Sequence, residues 1–401
     1  MALLSVPEAL ARVLDGLAPL EAESVSIEAA RGRVLAADLA ARLTQPPFDA
    51  SAMDGYAVRA KDVAELPATV RLIGVAAAGS RFSGRVGERE AVRIFTGAPV
   101  PDGADTVVIQ ENTEDADGVV VVKEAAPRRH IRPRGQDFRE GDVLLKAGTR
   151  LGARELVLAA AMNHAELPVR RKPKVAILAT GDEVMPPGSE LGPDQIVSSV
   201  PYGLAALIEA EGGEAMRLGI AKDEPTSLVT LAKSGSAADV LVTIGGASVG
   251  ELDLVASALK TAGLELDFAK IAMRPGKPML YGRIGAQRVL GLAGNPVSAL
   301  ISAHVFLKPM LRRMLGLAEA ARPLPEAILG EAVEANGPRQ HYLRAVSAWG
   351  ADGARTVRPL PSQDSSLVAA LARADCLILR EADTPALAQS TRVRIVLFDG
   401  D

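Results

Sequence analysis

The feature that most constrains this chain is a regular alternation of strand and helix between residues 175 and 315. Residues 175–179 form a continuous apolar run, followed by helical periodicity around 202–211. Residues 215–220 again read as strand and 226–233 as helix. A strand at 239–244, a helix near 254–261, a strand at 287–292 and a long helix at 296–315 complete the series. Alternation over ~30-residue units requires right-handed crossovers, and unbroken apolar runs mark strands buried on both faces. The expected fold class is multi-domain α/β, with a doubly wound, mostly parallel sheet covered on both sides.

The flanking segments have a different texture. Ser5-Val-Pro-Glu8 reads as a capping box opening a helix, with Val6, Leu10, Val13, Leu14 and Leu17 on one face. Short β-branched runs at 69–75, 90–95, 106–110 and 118–123, split by Gly and Pro, predict a β-rich domain. Residues 154–164 are helical again. The β-rich piece, 46–139, is therefore expected as an insertion into a helical N-terminal domain made of 1–45 and 140–168, whose helical segments pack together. The basic run Arg170-Arg-Lys-Pro-Lys174 is expected as a solvated linker leading into the α/β domain, 169–320. Two prolines in 321–325 mark the next boundary. Strands at 327–333, 342–349, 354–358, 376–380 and 392–398, with one helix at 367–373, predict a small C-terminal β domain, 321–401.

Charge and composition exclude several classes. Forty-five basic residues against 49 acidic ones leave a net charge of −4, which argues against a nucleic-acid partner coated through its phosphates. Cys376 is the single cysteine and cannot form an intramolecular disulfide; its apolar neighbours make it a small buried hydrophobe. The four histidines show no metal-ligand spacing, so a zinc site is not expected. Residues 289–307 carry no formal charge, but Gly291, Gly294, Asn295 and Pro296 cut them into strand, turn and helix. A membrane span needs ~20 apolar residues without that punctuation. With no signal-peptide pattern at the N-terminus, a cytoplasmic protein without membrane contact is expected.

Ligands of open α/β sheets bind beyond the carboxyl ends of the strands. Those ends read Thr180-Gly-Asp-Glu183, Gly245-Gly-Ala-Ser-Val-Gly250 followed by Glu251 and Asp253, and Ala293-Gly-Asn-Pro-Val-Ser298. Glycine-rich turns admit an anion to backbone N–H groups, and Asn295 as N-cap with Pro296 at the first helical position aims a helix N-terminus at it. Asp182, Glu183 and Asp253 are hard oxygen ligands suited to Mg²⁺ shared with a phosphate. Arg274-Pro-Gly-Lys-Pro278 adds two cations on a constrained loop, the makings of an oxyanion clamp. Neither G-x-x-x-x-G-K-[S/T] nor G-x-G-x-x-G is present. The residues alone leave a Mg²⁺-dependent phosphate site open beside ordinary turns and caps. The turn-rich segments 46–56 and 95–101 are likewise either binding loops or the rim of a barrel, and the Arg-rich stretch 128–139 reads as a solvated connection.

Taken together, these segments resemble the molybdopterin molybdenumtransferase family, which includes the C-terminal domain of gephyrin. The matches, in chain order, are Pro47-Phe-Asp-Ala-Ser-Ala-Met-Asp-Gly-Tyr-Ala-Val58, Thr96-Gly-Ala-Pro-Val-Pro101, Arg134-Gly-Gln-Asp137, Ala179-Thr-Gly-Asp-Glu183, Gly245-Gly-Ala-Ser-Val-Gly-Glu-Leu-Asp253, Arg274-Pro-Gly-Lys-Pro278 and Gly294-Asn-Pro-Val-Ser298. The resemblance implies insertion of molybdenum from molybdate into adenylylated molybdopterin, with Mg²⁺ required and AMP released. It also implies an elongated homodimer, whose active cleft lies between one subunit's sheet domain and the partner's N-terminal region, and an adenylyltransferase that supplies the substrate.

Roles follow residue by residue from the same resemblance. Asp54, Thr96 and Asp137 correspond to the N-terminal side of the cleft. Glu183, Asp223 and Asp253 match the sheet-domain acids, with Glu183 and Asp253 as metal ligands. Lys270, Arg274 and Lys277 match the basic positions. Thr180, Gly245, Gly246, Ser248, Gly250, Pro278, Asn295 and Pro296 fall at substrate-binding positions, and Ser298 and Arg344 at the molybdate pocket. Arg274 stands where some members have Lys, and 361–366 lacks the glycines many relatives carry there. The alternatives are a molybdopterin adenylyltransferase and a non-catalytic molybdopterin-binding scaffold.

Overall fold

The computed structural model describes residues 3–127, 129–246, 252–317 and 324–398. The α/β domain is built on a six-stranded sheet in the order Glu214–Ala221, Lys174–Thr180, Val240–Ile244, Gln287–Leu292, Pro278–Ile284, Leu264–Lys270. The first four strands are mutually parallel; Pro278–Ile284 runs against them, and Leu264–Lys270, paired antiparallel to it, runs with them again. The sheet is thus mixed, and residues 264–284, where the sequence reading assigns no strand, supply two. Leu264–Lys270 escapes periodicity because it is an edge strand, with Leu264 and Phe268 buried and three charged residues between and after them facing outward. Gly282 admits this pairing, since a Cβ there would lie 2.4 Å from the carbonyl oxygen of Glu265.

The two faces of the sheet follow from the period of two in a strand. Val175 and Ile177 pack on one side with α3 (Val200–Ala210) and a long helix, while Ala176 and Leu178 pack on the other with α4 (Pro225–Ser234) and α5 (Leu252–Thr261). The long helix comprises α6 (Pro296–Ser302), a π turn (Ala303–Leu307) and α7 (Lys308–Met314). Among the described residues no helix is long and apolar enough to cross a membrane.

Helix α1 (Val6–Leu14) starts at the capping box: Glu8 N–H donates to Ser5 Oγ at 3.3 Å and Ser5 N–H to Glu8 Oε2 at 3.0 Å. Its buried face, Val6, Ala9 and Val13, joins the core of the α/β domain. It does not pack against α2 (Ala153–Ala161), so the expected pairing of N-terminal helical segments is absent. Residues 30–41 and 138–169 instead share a separate core, including Leu35, Leu39, Leu151 and Met162. Ala22–Ser26 pairs antiparallel with Glu166–Arg170 beside it. That unit is a set of short strands and turns with one helix, rather than a helical domain.

The linker arginines are staples rather than solvated charges. Arg171 forks onto Asp239 at 2.8 and 2.7 Å, and Arg170 donates to the carbonyls of Leu20 and Ala36 at 2.8 and 3.2 Å. Between 46 and 139 a second six-stranded sheet runs Thr106–Ile109, Gly55–Val58, Glu90–Ile94, Ala68–Ala76, Val119–Val122, Thr113–Ala116. At the C-terminal end, Gln340–Trp349 pairs with both Arg355–Pro359 and Cys376–Arg380 and so closes a small barrel, beside which lies α8 (Val368–Arg373). Cys376 is fully buried in it. Met273–Arg274 adds to this sheet in parallel with Gln340 and His341, tying the α/β domain's basic loop to the barrel.

Candidate active site

A cleft of about 680 Å³ opens beyond the carboxyl ends of the parallel strands. Thr180, Glu183, Asp223, Gly245, Gly246, Pro278, Asn295 and Pro296 all line it, so the structure gathers residues scattered over more than a hundred positions. Gly245 and Gly246 take φ of +94° and +64°. A Cβ would lie 2.7 Å from the Thr180 carbonyl oxygen at Gly245 and 2.4 Å from Val255 Cγ2 at Gly246. Both the backbone conformation and the space therefore demand glycine. The Thr180 hydroxyl donates to the Ile244 carbonyl at 3.3 Å and fastens two strand ends together.

The acidic rim lies on one side. Asp223 N–H donates to Asp182 Oδ1 at 3.3 Å, which brings the loop carrying Asp223 beside the one carrying Glu183. Both carboxylates are exposed. Ser248, Gly250 and the side chain of Asp253 lie outside the described residues. Among the described residues, no three His, Cys, Asp or Glu side chains come together as a metal cage. Glu183 and Asp223 are exposed carboxylates, hard-oxygen ligands of the kind Mg²⁺ takes together with waters and a substrate phosphate.

The expected basic residues lie at the end of Leu264–Lys270 and on the loop after it, of which only Pro278 is a lining residue of the cleft; Lys270, Arg274 and Lys277 are not. Lys270, Arg274 and Lys277 are exposed and form no ion pair among the described residues. The loop is closed by Ile271 N–H donating to the Lys277 carbonyl at 3.0 Å, and its last residue, Pro278, enters the cleft wall. His341 lies behind it; burial first, and then the Arg274 cation, push its pKa down to about 4.

Two expected anion ligands are placed elsewhere. Ser298, in the first turn of α6, is buried and does not reach the cleft lining. Arg344 is 1% exposed, and its guanidinium donates to the carbonyls of Leu367 (3.3 Å), Ser362 (3.1 Å) and Asp364 (2.8 Å). Its donors hold the 362–367 loop instead of facing a ligand. That loop delivers Ser366 to the cleft, with Val368 beside it, and Ser365 Oγ accepts from Asn295 Nδ2 at 3.0 Å. Asn295 sits at the N-cap position, but its side chain bridges to the barrel rather than capping the helix. Sequence reasoning missed the wall formed by Val197, Ser198 and Pro201 as well as Ser366. Ser198 and Ser199 ahead of α3 and Pro201 in its first turn were the available signal for the former.

The N-terminal residues form a second locus. Asp54 Oδ1 accepts from Thr96 N–H at 2.7 Å and from Thr96 Oγ1 at 2.8 Å, and the backbone bond leads in holding the Asp54 carboxyl below its usual range. Met53 and Phe95 are exposed on either side, and the Arg93 guanidinium lies 4.9 Å from the Tyr56 ring centre and 5.2 Å from that of Phe95. Asp137 lines an adjacent hollow of about 520 Å³ with Phe48, Gly97 and Arg132. Within one chain this hollow and the α/β cleft share no lining residue.

Comparison with known proteins agrees with this anatomy. Residues 4–163 match the MoeA N-terminal region (domain I and II), 176–313 the "Probable molybdopterin binding domain", and 326–398 the MoeA C-terminal region (domain IV). The chain is 32% identical to the molybdopterin molybdenumtransferase of Haemophilus influenzae over 99% of both chains. It is 37% identical to that of a Nostoc species over 80% of this chain and 76% of the relative. Two structures of molybdopterin biosynthesis MoeA proteins from Pyrococcus horikoshii superpose with TM-scores of 0.87 and 0.84, at 32% and 26% identity. The first covers 100% of both chains, and the second 99% of this chain and 100% of its own. The chain belongs to the molybdopterin molybdenumtransferase family.

Proposed function

We propose that this enzyme inserts molybdenum from molybdate into adenylylated molybdopterin, releases AMP and requires Mg²⁺. The observation that carries the reading is the composition of the cleft and its border. An anion-ready glycine turn and an acidic rim line it, and Pro278 joins that lining to a loop whose exposed cations, Arg274 and Lys277, form no ion pair among the described residues. Molybdate is a tetrahedral dianion, and Arg274 and Lys277 suit it through charge-assisted hydrogen bonds. The N–H groups of the Gly245–Gly246 turn serve the adenylate phosphate. Glu183 and Asp253 would hold Mg²⁺, which when bound supplies charge neutralisation at that phosphate. Asp223 and Thr180 keep the rim and the two strand ends in place. Positioning supplies much of the rate, because the dithiolene sulfurs must be held against molybdenum. Lys270 extends the positive field over the cleft mouth, which attracts both anionic substrates.

The separation of the Asp54–Thr96 locus from the α/β cleft supports a homodimer, in which a second copy brings its N-terminal locus to the cleft. An adenylyltransferase is the partner whose product this enzyme consumes, in the cytoplasm. The test is AMP release from purified protein given adenylylated molybdopterin and Mg²⁺, with and without molybdate. Molybdate-dependent release, with active cofactor appearing in step, is the expected result. Release independent of molybdate would mean a hydrolase, and binding without release a scaffold; either overturns the reading.

A further inference from the structure

Ser302 closes α6 where the helix passes into the π turn. Its side chain is 1% exposed, and its hydroxyl has no hydrogen-bond partner. A helical serine in an apolar setting ordinarily bonds back to the carbonyl one turn earlier, and this one does not. It lies instead beneath the basic loop. A Cβ on Gly276 would sit 2.5 Å from Ser302 Oγ, with Met273 Sδ next at 3.6 Å. Gly276 is buried, at φ +101°, between the exposed cations Arg274 and Lys277. The backbone that carries both cations therefore rests on an unpaired hydroxyl. The adjoining π turn departs from α-helical winding there, and such departures recur at functional sites.

We propose that Ser302 is a positioning residue for the oxyanion clamp: its hydroxyl bonds the backbone at Gly276 when Arg274 and Lys277 close on a tetrahedral dianion. The inference rests on the reading of those two cations as the molybdate ligands. The loop already rests against the serine; a dianion held by both cations offsets their mutual repulsion, fixes the Gly276 backbone and lets the hydroxyl bond it. Ser302 thus tunes affinity for the oxyanion and leaves the pterin substrate's binding alone.

The test compares Ser302→Ala and Ser302→Thr with wild type in the full chain. Two readouts are needed: titration calorimetry with inorganic molybdate alone, and KM and kcat for molybdate-dependent AMP release. Ser302→Ala is expected to weaken molybdate binding and raise its KM about five- to tenfold. In that variant kcat and the KM for adenylylated molybdopterin should stay within twofold, and Ser302→Thr should match wild type within twofold. Unchanged molybdate affinity in Ser302→Ala overturns the proposal, as does an equal loss in both variants, which would mean packing alone. A wild type that binds molybdate but releases no AMP defeats the proposed function while the calorimetry still tests Ser302. A wild type that binds no molybdate overturns the clamp and its positioning residue together.

Discussion

Arg344→Met tests whether the buried arginine organises the cleft from behind or touches the ligand. Methionine keeps much of the side-chain volume and removes the three donor bonds to Ser362, Asp364 and Leu367. Hydrogen bonds to a charged group contribute about 1.5–3 kcal/mol each, which makes their sum an upper bound. Two effects reduce it. The 362–367 loop is largely exposed, so freed carbonyls regain water, and removing a buried cation relieves the desolvation that lowers the Arg344 pKa. A local loss of about 2–4 kcal/mol remains. It should appear as faster amide exchange by about one and a half to three orders of magnitude across 362–368, since 1.4 kcal/mol is a factor of ten. Because Ser366 lines the cleft and Ser365 pairs with Asn295, KM should rise with the loosened wall. Arg344→Lys should fall between, since a point charge cannot span three carbonyls. Activity lost with unchanged exchange in 362–368 would refute the argument and return Arg344 to direct ligand contact.

Gly245→Ala forces a Cβ to within 2.7 Å of the Thr180 carbonyl at a φ of +94°, so we expect at least a tenfold loss of kcat/KM with circular dichroism retained. Asp54 has a depressed folded pKa, so its contribution is present above the ordinary carboxylate pKa and lost as pH falls through the lower folded value. An NMR titration of the Thr96 amide should therefore show its transition below pH 3.9. His341 is also depressed, to about 4 from 6.5, so it is uncharged in the fold at neutral pH. Stability it contributes is complete above pH 6.5 and falls as pH drops toward 4, by roughly 3 kcal/mol in full. Denaturant unfolding across that window should show the decline, and His341→Gln should flatten it.

The parts of this protein legible in its sequence are those whose cause is local. The apolar runs of the parallel strands, the Ser5–Glu8 capping box and the Gly245–Gly246 turn each arise from neighbours within a few residues, through side-chain periodicity, a cap bond or a steric limit on φ. The family resemblance picked out Asp54 and Thr96, but their direct pairing spans 42 positions and appears only in the folded sheet. What the tertiary structure alone decided has distant partners. Leu264–Lys270 is a strand because Pro278–Ile284 lies beside it, and α1 packs on α7 and its π turn because the α/β core offers it an apolar face. Arg344, whose type and place suggest an anion ligand, becomes a structural clamp because three carbonyls of another segment reach it before any ligand can. Ser302 carries no signal in the sequence at all: its meaning lies in a glycine 26 positions away that rests on its hydroxyl. Sequence spacing encodes periodicity and sterics, whereas the pairing of buried polar groups depends on which surfaces the whole chain brings together.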